Sequence, residues 1–413
     1  MRPTRALLAH AATALAELLK FARPADQALS AYFRGHRNLG QQDRAFIAEA
    51  VFAVLRRKRS LEAAAGNAVP RDLVIAALVR VFGVSGRAFE ATGPEDAALA
   101  ARLKAAAPVR LREAVQADLP DWLWQRLAAE YGPEEAAGIA QGLLAPAPLD
   151  LRVNLLKLSR EEALEQLGLE AAPTPHSPAG IRLKGKPPIN RHALFLGGCV
   201  EVQDEGSQLL AYLLAPRRGE MVADFCAGAG GKTLAIAMLM RGAGRVYAMD
   251  VSAKRLRELA PRAARAGISN VHPIVLSGEG DVRAKRLSGK LDRVLVDAPC
   301  SGFGTLRRNP DLKWRHDAAA VAELAAKQLR ILNSAAKLLK PGGRLVYATC
   351  SILSEENEAV VERFAAAHPE FKPLSCRDLL AAQRIFLEVG GHLRLWPHRH
   401  GTDGFFAAAF ERR

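Results

Sequence analysis

At 413 residues, with 49% hydrophobic and 24% charged residues, the chain has an ordinary globular composition and enough length for two or three domains. Its formal charge of +15 is uneven: residues 216–413 carry 32 basic against 20 acidic side chains. That bias favours a polyanionic partner, because each neutralised phosphate releases a counterion. These figures exclude a disordered chain, and no apolar run reaches the ~18–20 residues that a membrane span requires.

The first twenty residues place Arg2 and Arg5 ahead of an apolar run, the outline of a signal peptide. His10, Thr13 and Glu17 interrupt that run, and Leu7, Leu8, Leu15, Leu18 and Leu19 recur at helical spacing. The run therefore reads as an amphipathic helix of a folded domain. The same periodicity continues through Asp43–Arg57, Leu73–Phe82 and Trp122–Glu130, predicting an all-helical domain over residues 1–140. Within it, Arg56-Arg57-Lys58-Arg59 is either a solvated helix end or a nucleic-acid contact.

Ala145-Pro146-Ala147-Pro148 reads as a linker, and residues 145–215 as a small α+β subdomain suited to be a substrate platform. Leu149–Leu155 is strand-like, Ser159 with Glu162 forms a capping box, and Pro173–Pro188 suits exposed turns. From 216 onward strands and helices alternate. Strands are expected at Met221–Phe225, Arg245–Met249, Val271–Leu276, Arg293–Val296, Arg344–Tyr347 and within Gly401–Phe410. Helices are expected at Lys232–Met240, Ser252–Ala266 and Ala318–Leu339. Such alternation predicts an α/β domain over 216–413, a parallel sheet covered on both faces.

The stretch Asp224-Phe225-Cys226-Ala227-Gly228-Ala229-Gly230-Gly231-Lys232-Thr233 follows a strand and opens a helix, where glycines let the backbone approach a ligand. A phosphate loop would need glycine at 226, which is Cys, and a dinucleotide fingerprint would need glycine at 233, which is Thr. What remains is a looser glycine loop with Asp250 ending the next strand, where a carboxylate can accept from ribose hydroxyls. That suits an adenosine ligand without a pyrophosphate, such as S-adenosylmethionine. Asp297-Ala298-Pro299-Cys300-Ser301-Gly302 and Tyr347-Ala348-Thr349-Cys350-Ser351 each follow a predicted parallel strand, which places both thiols at the ligand edge. Lys232, Arg307, Arg308 and Lys313 are the candidate cations to activate a thiolate there. Cys199 and Cys376 read as small buried hydrophobes. Five scattered cysteines without a C-x-x-C pair give no disulfide framework and no metal site, as expected of a cytoplasmic chain with reduced thiols.

With these residues in place the chain resembles the Sun/RsmB family of RNA cytosine-5 methyltransferases. The resemblance rests on Asp224–Thr233, Asp250, Asp297–Gly302, Arg307-Arg308-Asn309-Pro310-Asp311, Lys313-Trp314, Ala348–Ser351 and Glu356-Asn357-Glu358. The first 140 residues resemble the NusB-like helical RNA-binding domain of bacterial members, with Gln42-Asp43-Arg44 and Leu55-Arg56-Arg57 as markers. The resemblance implies a Rossmann-like S-adenosylmethionine-dependent core and an RNA substrate, small-subunit ribosomal RNA first and transfer RNA as the alternative, modified by a monomer. It implies that Cys350 bonds carbon 6 of the cytosine, that Asp297 holds or protonates ring nitrogen 3, and that Cys300 assists elimination. Lys232 would be a further polar contact. Cofactor contacts would come from Cys226, Ala227, Gly228, Ala229, Gly230, Gly231, Lys232 and Asp297. Asp250 would take the ribose, and Glu279 the adenine, with Asp281 as its rival. The family's Cys-Ala-Ala-Pro-Gly-Gly-Lys is here Cys226-Ala227-Gly228-Ala229-Gly230-Gly231-Lys232, from which a looser loop is expected. Two other classes compete. A non-catalytic RNA-binding assembly factor is disfavoured by intact Asp297, Cys300 and Cys350, and a P-loop NTPase by Cys226.

Overall fold

Apolar residues at three- and four-residue intervals become a helical bundle, and the alternation further along the chain becomes two sheets. The computed structural model describes residues 2–107 and 111–413. They form two units: the residues up to Pro146 together with Thr305–Ala318, and Ala147–Gly304 together with Ala319–Arg413.

In the first unit, Thr4 opens the helix Arg5–Leu18 by accepting from the Leu7 N–H, and Leu8, Ala11, Leu15 and Leu18 are buried. This is the amphipathic helix that the spacing predicts. It shares a core with Ile47, Val51 and Val54 of the helix Gln41–Arg56 and with Leu73 and Ile75 of Pro70–Arg80. The last carbonyls of Gln41–Arg56 need donors from elsewhere, as at any helix end. Trp314 Nε1 donates to the Leu55 carbonyl and Lys313 Nζ to the Arg56 carbonyl, both at 2.8 Å. Arg56 Nη2 in turn donates to the Arg307 carbonyl at 3.1 Å. The basic run is therefore half-buried and held within its unit, not a simple solvated end. Arg59 Nη1 bonds the Leu119 carbonyl and Asp121 at 2.6 Å each, and Lys58 pairs with Glu62 at 2.8 Å beside the Trp314 ring.

Lys313 is 2% exposed. Burial pushes its ammonium down to about 7, against the pull of Asp118 and with the help of Arg56 and Arg57. An unfolded lysine holds its proton up to about pH 10.4. Between these values the unfolded chain binds more protons, so this residue makes stability rise with pH through the window and weighs against folding below it. Denaturant unfolding should show Lys313→Met flattening the pH dependence of stability between about pH 7 and pH 10. An unchanged slope would mean that Lys313 is charged in the folded state.

The second unit holds twelve strands: β1 Leu149–Val153, β2 Ala171–Pro173, β3 Gly180–Leu183, β4 Val200–Val202, β5 Met221–Asp224, β6 Arg245–Asp250, β7 Val271–Val275, β8 Leu291–Asp297, β9 Leu339–Thr349, β10 Phe371–Leu374, β11 Leu393–Leu395 and β12 Phe405–Arg412. The first four form an antiparallel sheet in the order β2-β3-β1-β4. Its third strand lies within the stretch expected as exposed turns. Ile181 and Leu183 are buried there, a two-residue alternation too short to outweigh the surrounding prolines. The predicted capping box at Ser159 and Glu162 opens the helix Arg160–Leu167.

The larger sheet runs β10-β12-β9-β8-β5-β6-β7, with β11 also paired to β12. Strands β5 to β9 are parallel, and β12 joins β9 antiparallel. Alternation along β8 feeds both faces: Leu295 joins the core with Leu209 and Leu213 of the helix Glu205–Leu214, while Val294 and Val296 join Leu332 and Ala335 of Ala318–Ala336. This is the expected α/β Rossmann-like core, a parallel sheet with helices on both faces. The predicted helix Ser252–Ala266 is two, Ala253–Arg257 and Leu259–Ala266, because Pro261 has no N–H for the Arg257 carbonyl. Among the described residues, no helix is long and apolar enough to cross a membrane.

From β5 the chain proceeds outward to β6 and β7, then returns to β8 on the opposite side. The strand order therefore reverses between β5 and β8, and the crevice outside their carboxyl ends is where such sheets bind ligands. Asp224, Asp250, Asp297 and Thr349 each end one of the strands around that crevice.

Candidate active site

The glycine loop joins β5 to the helix Gly231–Leu239. Gly228 and Gly230 have φ of +55° and +85°, a left-handed backbone that glycine adopts without penalty. Hydrogen bonds tie the loop to its surroundings. Gly228 N–H donates to Asp250 Oδ2 at 2.7 Å, and Ala227 N–H to the Met249 carbonyl at 2.8 Å. Arg262 Nη1 donates to the Ala229 carbonyl at 2.6 Å, and Arg152 Nη1, from β1, to the Gly231 carbonyl at 2.8 Å. The glycine at 228 supplies the turn, and the arginines hold it.

A cleft of about 350 Å³ opens beside this loop, lined by Cys226, Asp250, Glu279, Asp297, Cys300 and Cys350 among others. Asp250 also accepts from the Ser252 N–H at 2.7 Å, so its carboxylate is fixed at the cleft wall. Glu279 lines the cleft and pairs with Arg330 at 3.0 Å. Asp281 does not line it. Its carboxylate caps the short helix Val282–Lys285 and accepts from Ser277 and Arg283. Arg255 and Lys327 line the cleft as well, and no local pattern marked either.

Lys232 reaches from the first turn of its helix to Asp297 Oδ2 at 2.7 Å, with its ammonium 5.7 Å from the centre of the Phe405 ring. Burial opposes that ammonium, but the charge and hydrogen bond of Asp297 outweigh it, so Lys232 is held above its ordinary value. Beneath the loop, Asp224 is buried and accepts from Thr233 Oγ1 at 2.7 Å. Burial pushes its carboxyl up to about 7 against that hydrogen bond. Burial also pushes the Cys226 thiol far up, reinforced by the Asp224, Asp297 and Asp250 charges.

The structure brings the two strand-end cysteines together, with Cys300 Sγ and Cys350 Sγ 3.4 Å apart. The hydrogen bond to Cys350 and burial push the Cys300 thiol well above its ordinary range. That opposes the expected activation of both thiols by cations. Arg307, Arg308 and Lys313 do not line the cleft and sit in the segment Thr305–Ala318, which packs with the helical unit. Lys232 is the one member of that group whose charge acts on the cleft carboxylate. Cys376 is the buried hydrophobe expected, and Cys199 is only partly buried. Among the described residues, no group of His, Cys, Asp or Glu is arranged to hold a metal ion.

A buried carboxylate that sequence reasoning gave no role joins the two cysteine loops. Glu356 Oε1 accepts from the Ser301 N–H at 2.8 Å and from Gln328 Nε2 at 2.9 Å, and Oε2 accepts from the hydroxyls of both Ser301 and Ser351. Tyr347 adds its hydroxyl to the Glu356 carbonyl, and Asn357 Nδ2 donates to the Ser351 carbonyl at 3.1 Å. The loops also meet at glycine: Gly304 N–H donates to the Cys350 carbonyl at 2.9 Å, and a Cβ on Gly304 would stand 2.2 Å from the Gly404 carbonyl oxygen.

The family model described as 16S rRNA methyltransferase RsmB/F matches residues 211–411, and the ferredoxin-like domain of RsmF/B-like methyltransferases matches 119–190, starting ahead of the expected boundary at 145. A Bacillus subtilis protein named "Probable ribosomal RNA small subunit methyltransferase B" is 37% identical over 316 residues, 74% of this chain and 69% of its own. The "Ribosomal RNA small subunit methyltransferase B" of Sodalis glossinidius is 38% identical over 309 residues, 73% of this chain and 68% of its own. Among solved structures, a methyltransferase homolog protein from Pyrococcus horikoshii superposes with a TM-score of 0.63 at 31% identity, covering 75% of this chain and all of that one.

Proposed function

From the premise that this chain belongs to the 16S rRNA methyltransferase RsmB/F family, we propose that it forms 5-methylcytosine in small-subunit ribosomal RNA through a covalent bond between Cys350 and carbon 6 of the base. The observation that carries this reading is the pair of thiols 3.4 Å apart in a cleft also lined by Asp297, the carboxylate that Lys232 holds. One strand-end cysteine could be a buried hydrophobe. Two facing each other across a ligand cleft beside a carboxylate form the set that addition and elimination on a ring require.

The cleft fits S-adenosylmethionine, which the family uses. It lies at the reversal of strand order, within the ~300–1,000 Å³ typical of ligand pockets. Asp250 would hold the ribose and Glu279, rather than the capping Asp281, the adenine. Bound there, S-adenosylmethionine supplies an electrophilic methyl group. The chain's own residues prepare the acceptor. Cys350 Sγ adds to carbon 6, its thiol proton passing by way of the Asp297 carboxylate to ring nitrogen 3, and the electron pair displaced from the 5,6 double bond makes carbon 5 nucleophilic. Asp297, itself held by Lys232, holds the proton at ring nitrogen 3 and offsets the charge that develops there. In elimination the Cys300 thiol hands its proton to the departing Cys350 sulfur and takes the carbon 5 proton in its place. The double bond re-forms, the sulfur–carbon 6 electron pair returns to Cys350, and the proton on ring nitrogen 3 leaves by way of Asp297.

In this reading residues 216–413 carry the chemistry, 145–215 form the RNA platform and 1–140 bind RNA. Deleting 1–140 is not a clean test, since it strips Trp314 and Lys313 of their carbonyl partners. Bisulfite sequencing of total RNA from a deletion strain tests the reading directly. One cytosine of the small-subunit ribosomal RNA should lose its methylation and regain it with the wild-type gene. Loss confined to a transfer RNA would move the substrate, and no change at any cytosine would overturn the chemistry.

A further inference from the structure

We propose that Glu356 is a positioning residue of this site, holding the two cysteine loops at the spacing at which Cys300 and Cys350 exchange a proton; the proposal rests on the cysteine chemistry above. The side chain is fully buried. All four of its donors are neutral: the Ser301 N–H, the hydroxyls of Ser301 and Ser351, and the Gln328 amide. A buried carboxylate without a cation is costly to keep. Three of its four bonds go to the residues that directly follow Cys300 and Cys350, so one carboxylate sets the relative position of two loops fifty residues apart. Gln328 also donates to the Pro299 carbonyl at 3.0 Å, immediately before Cys300, which fixes that loop from its other side.

The charge has a second consequence. It faces Cys300 and opposes formation of a thiolate there, together with the Cys350 sulfur. Of the other charged groups near the cysteines, Lys232 and Asp297 are paired with each other, while Asp250, Arg255, Glu279 and Lys327 line the same cleft. Glu356 thus keeps Cys300 as the proton-bearing member of the pair and leaves Cys350 as the acceptor of that proton or the attacking sulfur. A glutamine would preserve the shape of the knot but not its charge. Alanine at Ser351 would remove one strut and keep the charge.

The test uses the full-length chain with Glu356→Gln and Ser351→Ala, scored by steady-state methylation, by trapped RNA adduct, and by mass-spectrometric mapping of iodoacetamide alkylation against pH. Glu356→Gln should lower kcat roughly 10–100-fold, as expected for a small misplacement of reacting groups, with KM for RNA and affinity for S-adenosylmethionine unchanged. Covalent adduct should accumulate, and alkylation of Cys300 should move to lower pH. Ser351→Ala should lower kcat less, with the Cys300 alkylation profile in place. Wild-type kcat in both variants, an unmoved Cys300 profile in Glu356→Gln, or an equal loss of S-adenosylmethionine binding would each overturn the assignment. The alkylation profile involves no RNA. A shifted profile with no RNA adduct in any variant would therefore mark failure of the cysteine chemistry and not of the positioning role.

Discussion

Cys350→Ala should yield neither methylated RNA nor any covalent RNA–protein species, with activity falling on the order of 10⁴-fold or more, as when other covalent nucleophiles are removed. Cys300→Ala should behave differently: addition proceeds, resolution fails, and a complex accumulates that survives denaturant and disappears after RNase. The structure gives the asymmetry a cause. Cys300 is held as a thiol by its bond to Cys350, by burial and by the Glu356 charge, so it is poorly suited to attack. Both variants should bind S-adenosylmethionine as the wild type does, since neither side chain supports the glycine loop. Denaturing gels of the two variants incubated with substrate RNA decide the matter. Trapping in Cys350→Ala and none in Cys300→Ala would exchange the roles and make the Pro299-Cys300 sulfur the nucleophile.

Asp297→Ala should remove both outcomes at once, because unstabilised charge on the ring blocks addition before either cysteine is committed. Removing one preorganised group that meets developing charge typically costs about 10²–10³-fold. Here the loss should be at the upper end, since Lys232 also loses its partner. The 2.7 Å ion pair is what holds that mostly buried ammonium charged, and without it burial drives the lysine toward neutrality. Radiolabelled methyl transfer and gel trapping should both fall to background while calorimetry still detects S-adenosylmethionine. Adduct at the wild-type level in Asp297→Ala would mean that another group meets the charge on ring nitrogen 3.

Chemistry that local order imposes was legible. A glycine run between a strand and a helix, an acidic residue ending the next strand, and two cysteines after apolar runs each announce a ligand edge, because strand ends and helix starts are set by neighbours in the chain. The same local reading left Arg56–Arg59 open between a solvated helix end and a nucleic-acid contact, and took Pro173–Pro188 as exposed turns. Only tertiary packing brings the Arg307 carbonyl to Arg56, Asp121 to Arg59 and Trp314 to the Leu55 carbonyl, and only pairing with β1 buries Ile181 and Leu183.

By itself, the sequence determined the parallel α/β core, the helical N-terminal part and the residues at the carboxyl ends of the strands, since apolar periodicity and punctuation by glycine and proline are local properties. Only the tertiary structure decided which cations reach the cleft. Arg255 and Lys327 line it, and Lys232 holds its carboxylate Asp297 from the first turn after the loop, while Lys313 is carried onto the end of the helix Gln41–Arg56. It likewise places Glu279 and not Asp281 at the cleft wall, because the Asp281 carboxylate caps a helix. Glu356 is the clearest case. In the sequence it belongs to the Glu356-Asn357-Glu358 marker with no role attached, and its burial under two loops that meet fifty residues apart is a property of the folded chain alone.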